Sequence, residues 1–224
     1  MGAQRSAPGL FLENLFGALQ IAFFLVTAPV TRRWYNTWGA TPAEVTRTLP
    51  GDERVPQPQL SYTRAITIAA RPADIWPWLV QIGQGRGGLY SYDGLENLIG
   101  CDIHSADRIL PEFQNLNVGD PILFGPAEKH YPGQVVTAIE PGRAIVMDAL
   151  NGQTRQPESC ATWALILDPQ ADGTTRLIAR GRNACGDSLG TRVLWHIVEP
   201  ITFVMERRML KGIKARAEAA LAPA

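Results

Sequence analysis

The chain is poor in the residues that hold metals or carry covalent chemistry. It has three cysteines, Cys101, Cys160 and Cys185, and three histidines in 224 residues. An odd, sparse cysteine set describes no disulfide framework, so unpaired thiols in a reducing compartment are expected. Cys101 and His104 stand close in sequence, but no second pair has ligand spacing, and His130 and His196 are remote. No metal centre is expected from such a set. A cysteine or serine nucleophile needs a base beside it, and none can be placed, so no catalytic residue and no cofactor is expected. Charge of one sign is lacking too: 21 Lys and Arg balance 21 Asp and Glu. Nucleic-acid binding, which needs a clustered basic face, is not expected. The 21 glycines and 17 prolines are scattered without period, which excludes a fibrous chain and fits a loop-rich β domain.

What is present begins with an apolar run. "LFGALQIAFFLVTAPVT", residues 15–31, contains no charged residue, and residues 10–14 extend it with only Glu13 and Asn14 as interruptions. A bilayer core takes about 20 residues of helix, so the run is long enough. Arg32, Arg33, Trp34, Tyr35 and Trp38 follow as a basic and aromatic edge. Two alternatives remain beside an anchor. A signal peptide would be cleaved best after Ala28, but Pro29 makes that a poor context; the other alternative is a buried or interfacial apolar helix. The expectation is a single-pass membrane anchor over residues 1–35. The two arginines favour a cytoplasmic C-terminal domain, although Arg5 weakens that asymmetry. An anchor of this kind is separable, so deleting residues 1–35 should release a folded domain.

Residues 36–60 read as a proline-rich connector with one short helix at 42–47, capped by Thr41 and opened by Pro42. Residues 61–224 form the main domain. "YTRAITIAA", 62–70, alternates as a strand, and "RPADIWPWLVQIG", 71–83, follows as a short helix ended by Gly83. Gly83, Gly85 and Gly88 then reproduce the G-x-G-x-x-G spacing of a dinucleotide-binding turn. That turn needs a strand before it and a helix after it. Here a helix comes first and the aromatic "LYSYD" follows, so a tight packing turn is expected and a nucleotide site is not. Asp93 and Glu96 fit a capping box, which outweighs a catalytic carboxylate pair. Ser105 reads as the cap of a further short helix ended by Pro111. From residue 120 five strands are expected, at 120–126, 133–141, 143–150, 160–169 and 174–183. Turn signals Pro-Gly, Asn-Gly and Asp-Gly lie among them, as in an antiparallel meander. The last strand sets Arg176, Arg180 and Arg182 on one face, either solvated or paired with Asp93, Glu96 or Asp107. Residues 189–221 carry a long helical pattern with Pro200 inside it. Its basic run "RRMLKGIKAR" reads as a solvated face, with anionic lipid as the alternative.

Three stretches carry a family resemblance: "WGATPAEVTRTLPGDE", then "ITIAARPADIWPWLVQIGQGRGGLYSYDGLENLIGCDIHSADRILPEF", then "FVMERRMLKGIKARAE". Over residues 38–220 they resemble a bacterial subgroup of the SRPBCC superfamily, the START-like and Bet v 1-like proteins that include polyketide cyclases and aromatases. The resemblance implies an α+β helix-grip fold: a curved antiparallel sheet around a long C-terminal helix, with an apolar cavity between them. It supplies no shared catalytic residues, because that superfamily has none. Candidate lining residues are Tyr90, Tyr92, Asp93, Phe124, Trp163, Arg180, Phe203 and Met205, all equally suited to plain core. The expected function is a membrane-tethered, non-catalytic binding module for a hydrophobic small molecule or lipid. The alternatives are an accessory subunit of a larger membrane complex and a cyclase- or aromatase-like enzyme.

Overall fold

The computed structural model describes residues 7–186 and 188–221; Arg5 lies outside them. Helix α1 runs Ala7–Asn36, α2 Pro42–Thr46, α3 Pro72–Val80, α4 Asp93–Leu98 and α5 Leu189–Ala219. The strands are β1 Leu60–Ile68, β2 Pro121–Leu123, β3 Gly133–Glu140, β4 Ala144–Leu150, β5 Pro157–Pro169 and β6 Thr175–Asn183. They form one antiparallel sheet in the order β1-β6-β5-β4-β3-β2. The meander expected from the turn signals is therefore present, and β1 extends it at one edge by pairing with β6, Leu60 opposite Asn183 and Ile68 opposite Thr175. Register shifts at Val136/Ala138 and Asp148/Ala149 interrupt the ladder. Such bulges bend a strand and increase its twist.

Strand alternation sorts the side chains onto two faces. On the inner face Ile68, Met147, Leu165, Leu167, Leu177 and Ala179 pack with α3 and with Leu210, Ile213 and Ala217 of α5. Each fully buried Leu or Ile here contributes about 1.5–3 kcal/mol over exposure. On the outer face Ala65, Val146, Ala164, Ile166 and Ile178 pack under Leu49. That residue belongs to the stretch expected to be a connector. Thr41 and Pro42 open α2 as expected, and Glu44 completes a capping box with Thr41.

The outer arginines explain why this stretch lies on the sheet. Arg176 holds Glu44 at 2.7 Å, Arg180 holds Asp52 at 2.8 Å, and Arg182 donates to the Val55 carbonyl at 2.8 Å. They share one face as expected, but their partners are not Asp93, Glu96 or Asp107. Burial alone would raise the Asp52 carboxyl; the hydrogen bonds from Arg180 and the Leu49 N–H outweigh it and hold the group below its ordinary range.

Three local expectations fail. Asp93 does not cap α4: its carboxylate accepts from the Ser105 N–H at 2.8 Å and from Ser105 Oγ at 2.6 Å, and Tyr92 stands at the N-cap without a side-chain bond. The box is lost because Ser105, twelve residues on, supplies a better donor pair. With its hydroxyl so used, Ser105 starts no helix, and only a 3₁₀ turn at Pro111–Phe113 follows. Third, Cys160 and Cys185 form a disulfide, with Cα atoms 5.1 Å apart. The cause is register: Ala161 sits opposite Asn183, and the Ala184 N–H donates to the Cys160 carbonyl at 2.7 Å, which brings the two sulfurs together. Cys101 is free and buried.

The glycine stretch behaves as its context demands. Gly83 and Gly88 exchange two backbone hydrogen bonds, 2.9 and 3.0 Å, straight after α3. Gly88 has φ +74°, and a Cβ there would lie 2.6 Å from the Ser105 Cα. Only glycine satisfies both conditions.

Candidate functional site

Strand β1 carries Tyr62, Arg64, Ile66 and Ile68 on the inner face, since alternate residues share a side. An arginine in that series is buried, and Arg64 is 0% exposed. A buried guanidinium needs a counter-charge and full hydrogen bonding. Glu206 on α5 provides the charge: its Oε2 accepts from Arg64 Nη1 at 2.8 Å. Its Oε1 accepts from Trp163 Nε1 at 2.8 Å and from the Tyr62 hydroxyl at 3.1 Å. Arg64 also donates to the Tyr35 carbonyl at 3.0 Å and to Asn36 Oδ1 at 3.3 Å. Those two residues end α1, so a cation satisfies a terminal carbonyl where the helix dipole is negative. The Tyr62 and Phe203 rings lie 4.1 and 5.0 Å from the guanidinium.

This network stands between the sheet and α5, where the resemblance implied an apolar cavity. Trp163, Met209, Leu210 and Ile213 fill the same layer. Two depressions among the described residues lie open to solvent instead. One, of about 440 Å³, is bounded by Thr41, Glu44, Arg47, Thr67, Asp168 and Arg176. The other, of about 400 Å³, is bounded by Asn97, Gly100, Asp102, Pro126, Glu128 and Lys129.

A five-stranded antiparallel meander with β1 added beside β6, and a 31-residue C-terminal helix packed across the inner face of that sheet, settle the architecture. The chain has the helix-grip fold. Solved structures similar to this helix-grip chain include a protein from Arthrobacter aurescens, 15% identical over 71% of this chain and 87% of that one, TM-score 0.42. A polyketide-cyclase-like protein from Corynebacterium glutamicum is 16% identical over 75% and 96%, TM-score 0.35. An HSP90 activator from Plasmodium falciparum is 14% identical over 62% and 89%, TM-score 0.36. No protein-family model matches the chain, and no curated protein matches it.

The candidate residues fall in five places of the helix-grip domain. Trp163 and Phe124 come together, ring centroids 6.3 Å apart. Tyr90 is core: its hydroxyl donates to the Trp78 carbonyl at 3.2 Å and accepts from Gln81 at 2.9 Å. Burial raises its phenol to about 12. Tyr92, Phe203 and Met205 sit on the α1 side. The Tyr92 hydroxyl accepts from Gln20 at 3.1 Å, and the Met205 carbonyl accepts from Ser91 Oγ at 2.9 Å. Phe203 lies 5.0, 5.7 and 5.4 Å from the rings of Phe24, Trp34 and Tyr35. Asp93 is engaged with Ser105, and Arg180 lies on the outer face with Asp52. Sequence reasoning missed Arg64 and Glu206. The signals were available: an arginine at period two between Tyr62 and Ile66, and a glutamate one turn from both Phe203 and Leu210 on α5.

Glu96 forms a separate feature on α4. It is 7% exposed, and its Oε2 has no hydrogen-bond partner. Burial first, and then the Asp93 charge, raise its carboxyl to about 8. Cys101 is nearby, its thiol raised by burial and by the Glu96 charge.

The remaining candidate surface is α1. One helix here, Phe11–Asn36, is apolar and long enough to cross a membrane. Glu13, Gln20 and Arg32 face the domain. Glu13 pairs with Arg208, Gln20 donates to Tyr92, and Arg32 holds Glu199 at 2.8 Å. Phe11, Leu15, Leu19, Val26, Val30 and Trp34 face outward and are exposed. α1 also packs on the domain: its rings cover Phe203, and the Tyr35 carbonyl and Asn36 Oδ1 accept from Arg64.

Proposed function

We propose that the protein is a non-catalytic, membrane-associated module that binds an apolar ligand, either a lipid or a hydrophobic small molecule. One observation carries the reading: α1 presents its apolar stripe outward and turns Glu13, Gln20 and Arg32 inward. A helix on a protein surface in water does the opposite, and an exposed apolar patch of this length marks a binding surface. Absence of catalysis is supported by the buried charges. Arg64, Glu206, Glu199, Asp52 and Asp148 are each tied in an ion pair, whereas a proton-transfer group must be free to reach substrate; Glu96, with Oε2 unpartnered, is the buried acid to which that argument does not extend. The Cys160–Cys185 disulfide supports an oxidising compartment for the domain, against the cytoplasmic side that Arg32 and Arg33 favoured.

A second reading is an accessory subunit whose α1 stripe packs on the helices of a membrane complex. The packing of Trp163, Met209, Leu210 and Ile213 in the layer beside Glu206 favours it. Native mass measurement of the detergent-extracted protein separates the two. Binding predicts a co-extracted lipid or small-molecule mass on an otherwise isolated chain; the accessory role predicts stable co-migration with other membrane subunits. A bare chain that is soluble without detergent would refute both.

A further inference from the structure

We propose that α1 lies in the plane of the membrane, its outward stripe in lipid, and does not cross the bilayer. The inference rests on the membrane-associated reading and says how that association is made. Both ends of α1 are fastened to the same domain. Near its start, Glu13 pairs with Arg208; near its end, Arg32 and Asn36 both bond Glu199, at 2.8 and 3.2 Å. Between Glu13 and Arg32 the helix advances about 28 Å at 1.5 Å per residue, close to the roughly 30 Å of a hydrocarbon core. A crossing helix would place its two ends on opposite faces. It would then either break one set of bonds or draw Arg208, and the charged turn of α5 around it, into hydrocarbon. A helix lying flat keeps every bond.

Lipid, and not a protein partner, is favoured by how the helix treats its own polar groups. Residues 15–31 are free of charge. The hydroxyls of Thr27 and Thr31 turn back onto the carbonyls of Phe23 and Thr27, at 2.7 and 2.9 Å. The stripe therefore offers a neighbour no hydrogen bond, which suits a medium that cannot make one. Arg33 and Trp34 are exposed at its end, where headgroups would meet a cation and an aromatic ring.

Two-ended labelling tests the geometry on the full chain. Gly9→Cys and Arg33→Cys, both at exposed positions, are made separately in a Cys101→Ser background, where the remaining cysteines are in the disulfide. Sealed vesicles are treated with a membrane-impermeant maleimide before and after detergent. An in-plane helix gives the same result at both positions, reactive or protected together. One position reactive and the other protected until detergent is added would overturn the proposal while leaving membrane association intact. A chain found in the soluble fraction would overturn both. In parallel, Val26→Asp with Val30→Asp alters side chains that are 81% and 87% exposed, so the fold is retained. Its binding to phosphatidylcholine–phosphatidylglycerol vesicles should weaken at least tenfold; unchanged binding counts against the stripe as the lipid contact.

Discussion

Replacing Glu206 by leucine should be among the most damaging single changes in this protein. The carboxylate accepts from Arg64, Trp163 and Tyr62, at 2.8, 2.8 and 3.1 Å. Its loss leaves a fully buried guanidinium without a counter-charge, with only the Tyr35 carbonyl and Asn36 Oδ1 as acceptors. Breaking a buried ion pair by removing one partner costs about 3–5 kcal/mol. The stranded Trp163 and Tyr62 donors push the value to the upper part of that range. A domain of this size has about 5–15 kcal/mol of stability in total, so the midpoint of unfolding should fall sharply. Glu206→Gln keeps an acceptor for Trp163 but not the charge, and should lie lower in the range. The decisive variant is the double replacement, Arg64→Met with Glu206→Leu. It removes both charges together and should recover most of the loss, because an apolar pair of similar volume commonly replaces a buried ion pair at little cost. Denaturant unfolding of the parent, Arg64→Met, Glu206→Leu and the double variant in mild detergent, followed by tryptophan fluorescence and circular dichroism, gives the cycle. A Glu206→Leu cost below about 1 kcal/mol, or a double variant as unstable as the sum of its singles, would refute the account of this network.

The Glu96 carboxyl is held at about 8, against 4.5 for the free side chain. The folded state therefore keeps a proton that the unfolded chain releases. Stability should fall from about pH 4.5 to about pH 8, by up to about 1.4 kcal/mol per pH unit, and Glu96→Gln should flatten that slope in a pH series of unfolding curves. The disulfide joins residues 25 apart, and Cys160→Ser should cost about 3.5 kcal/mol on the loop-closure argument. Alkylation of the unfolded protein without reductant should then modify one thiol of the parent chain, Cys101, as read by mass. Deleting residues 1–36 should give an insoluble or unfolded product. It strips Phe203 of three ring contacts, each worth about 0.5–1.5 kcal/mol beyond burial, and opens the Arg64 site to water. A soluble truncated chain with a cooperative melt would show that α1 is dispensable.

The sequence by itself determined what depends on neighbours along the chain. Alternation and the Pro-Gly, Asn-Gly and Asp-Gly turns located the meander to within a few residues. The apolar run located α1, the 3.6-residue spacing located α5, and the order of helix before glycines pointed to the tight packing turn at Gly83–Gly88. These features follow from backbone sterics and side-chain period, which act over a few residues. Only the tertiary structure decided which distant groups meet. Strand register joined Cys160 to Cys185, although their number had pointed to free thiols. Packing of α5 on β1 gave Arg64 its partner in Glu206 across 142 positions. The stretch 36–60 became the partner of the outer arginines, and Ser105 took Asp93 from the cap it was expected to make. The same holds for α1. Composition showed that one side wants an apolar medium, but a 30-residue apolar helix reads alike whether it crosses a bilayer or lies on one. The difference lies in where Glu13 and Arg32 find their counter-charges, and those stand on α5, far along the chain, brought within reach only when the sheet and helices have packed.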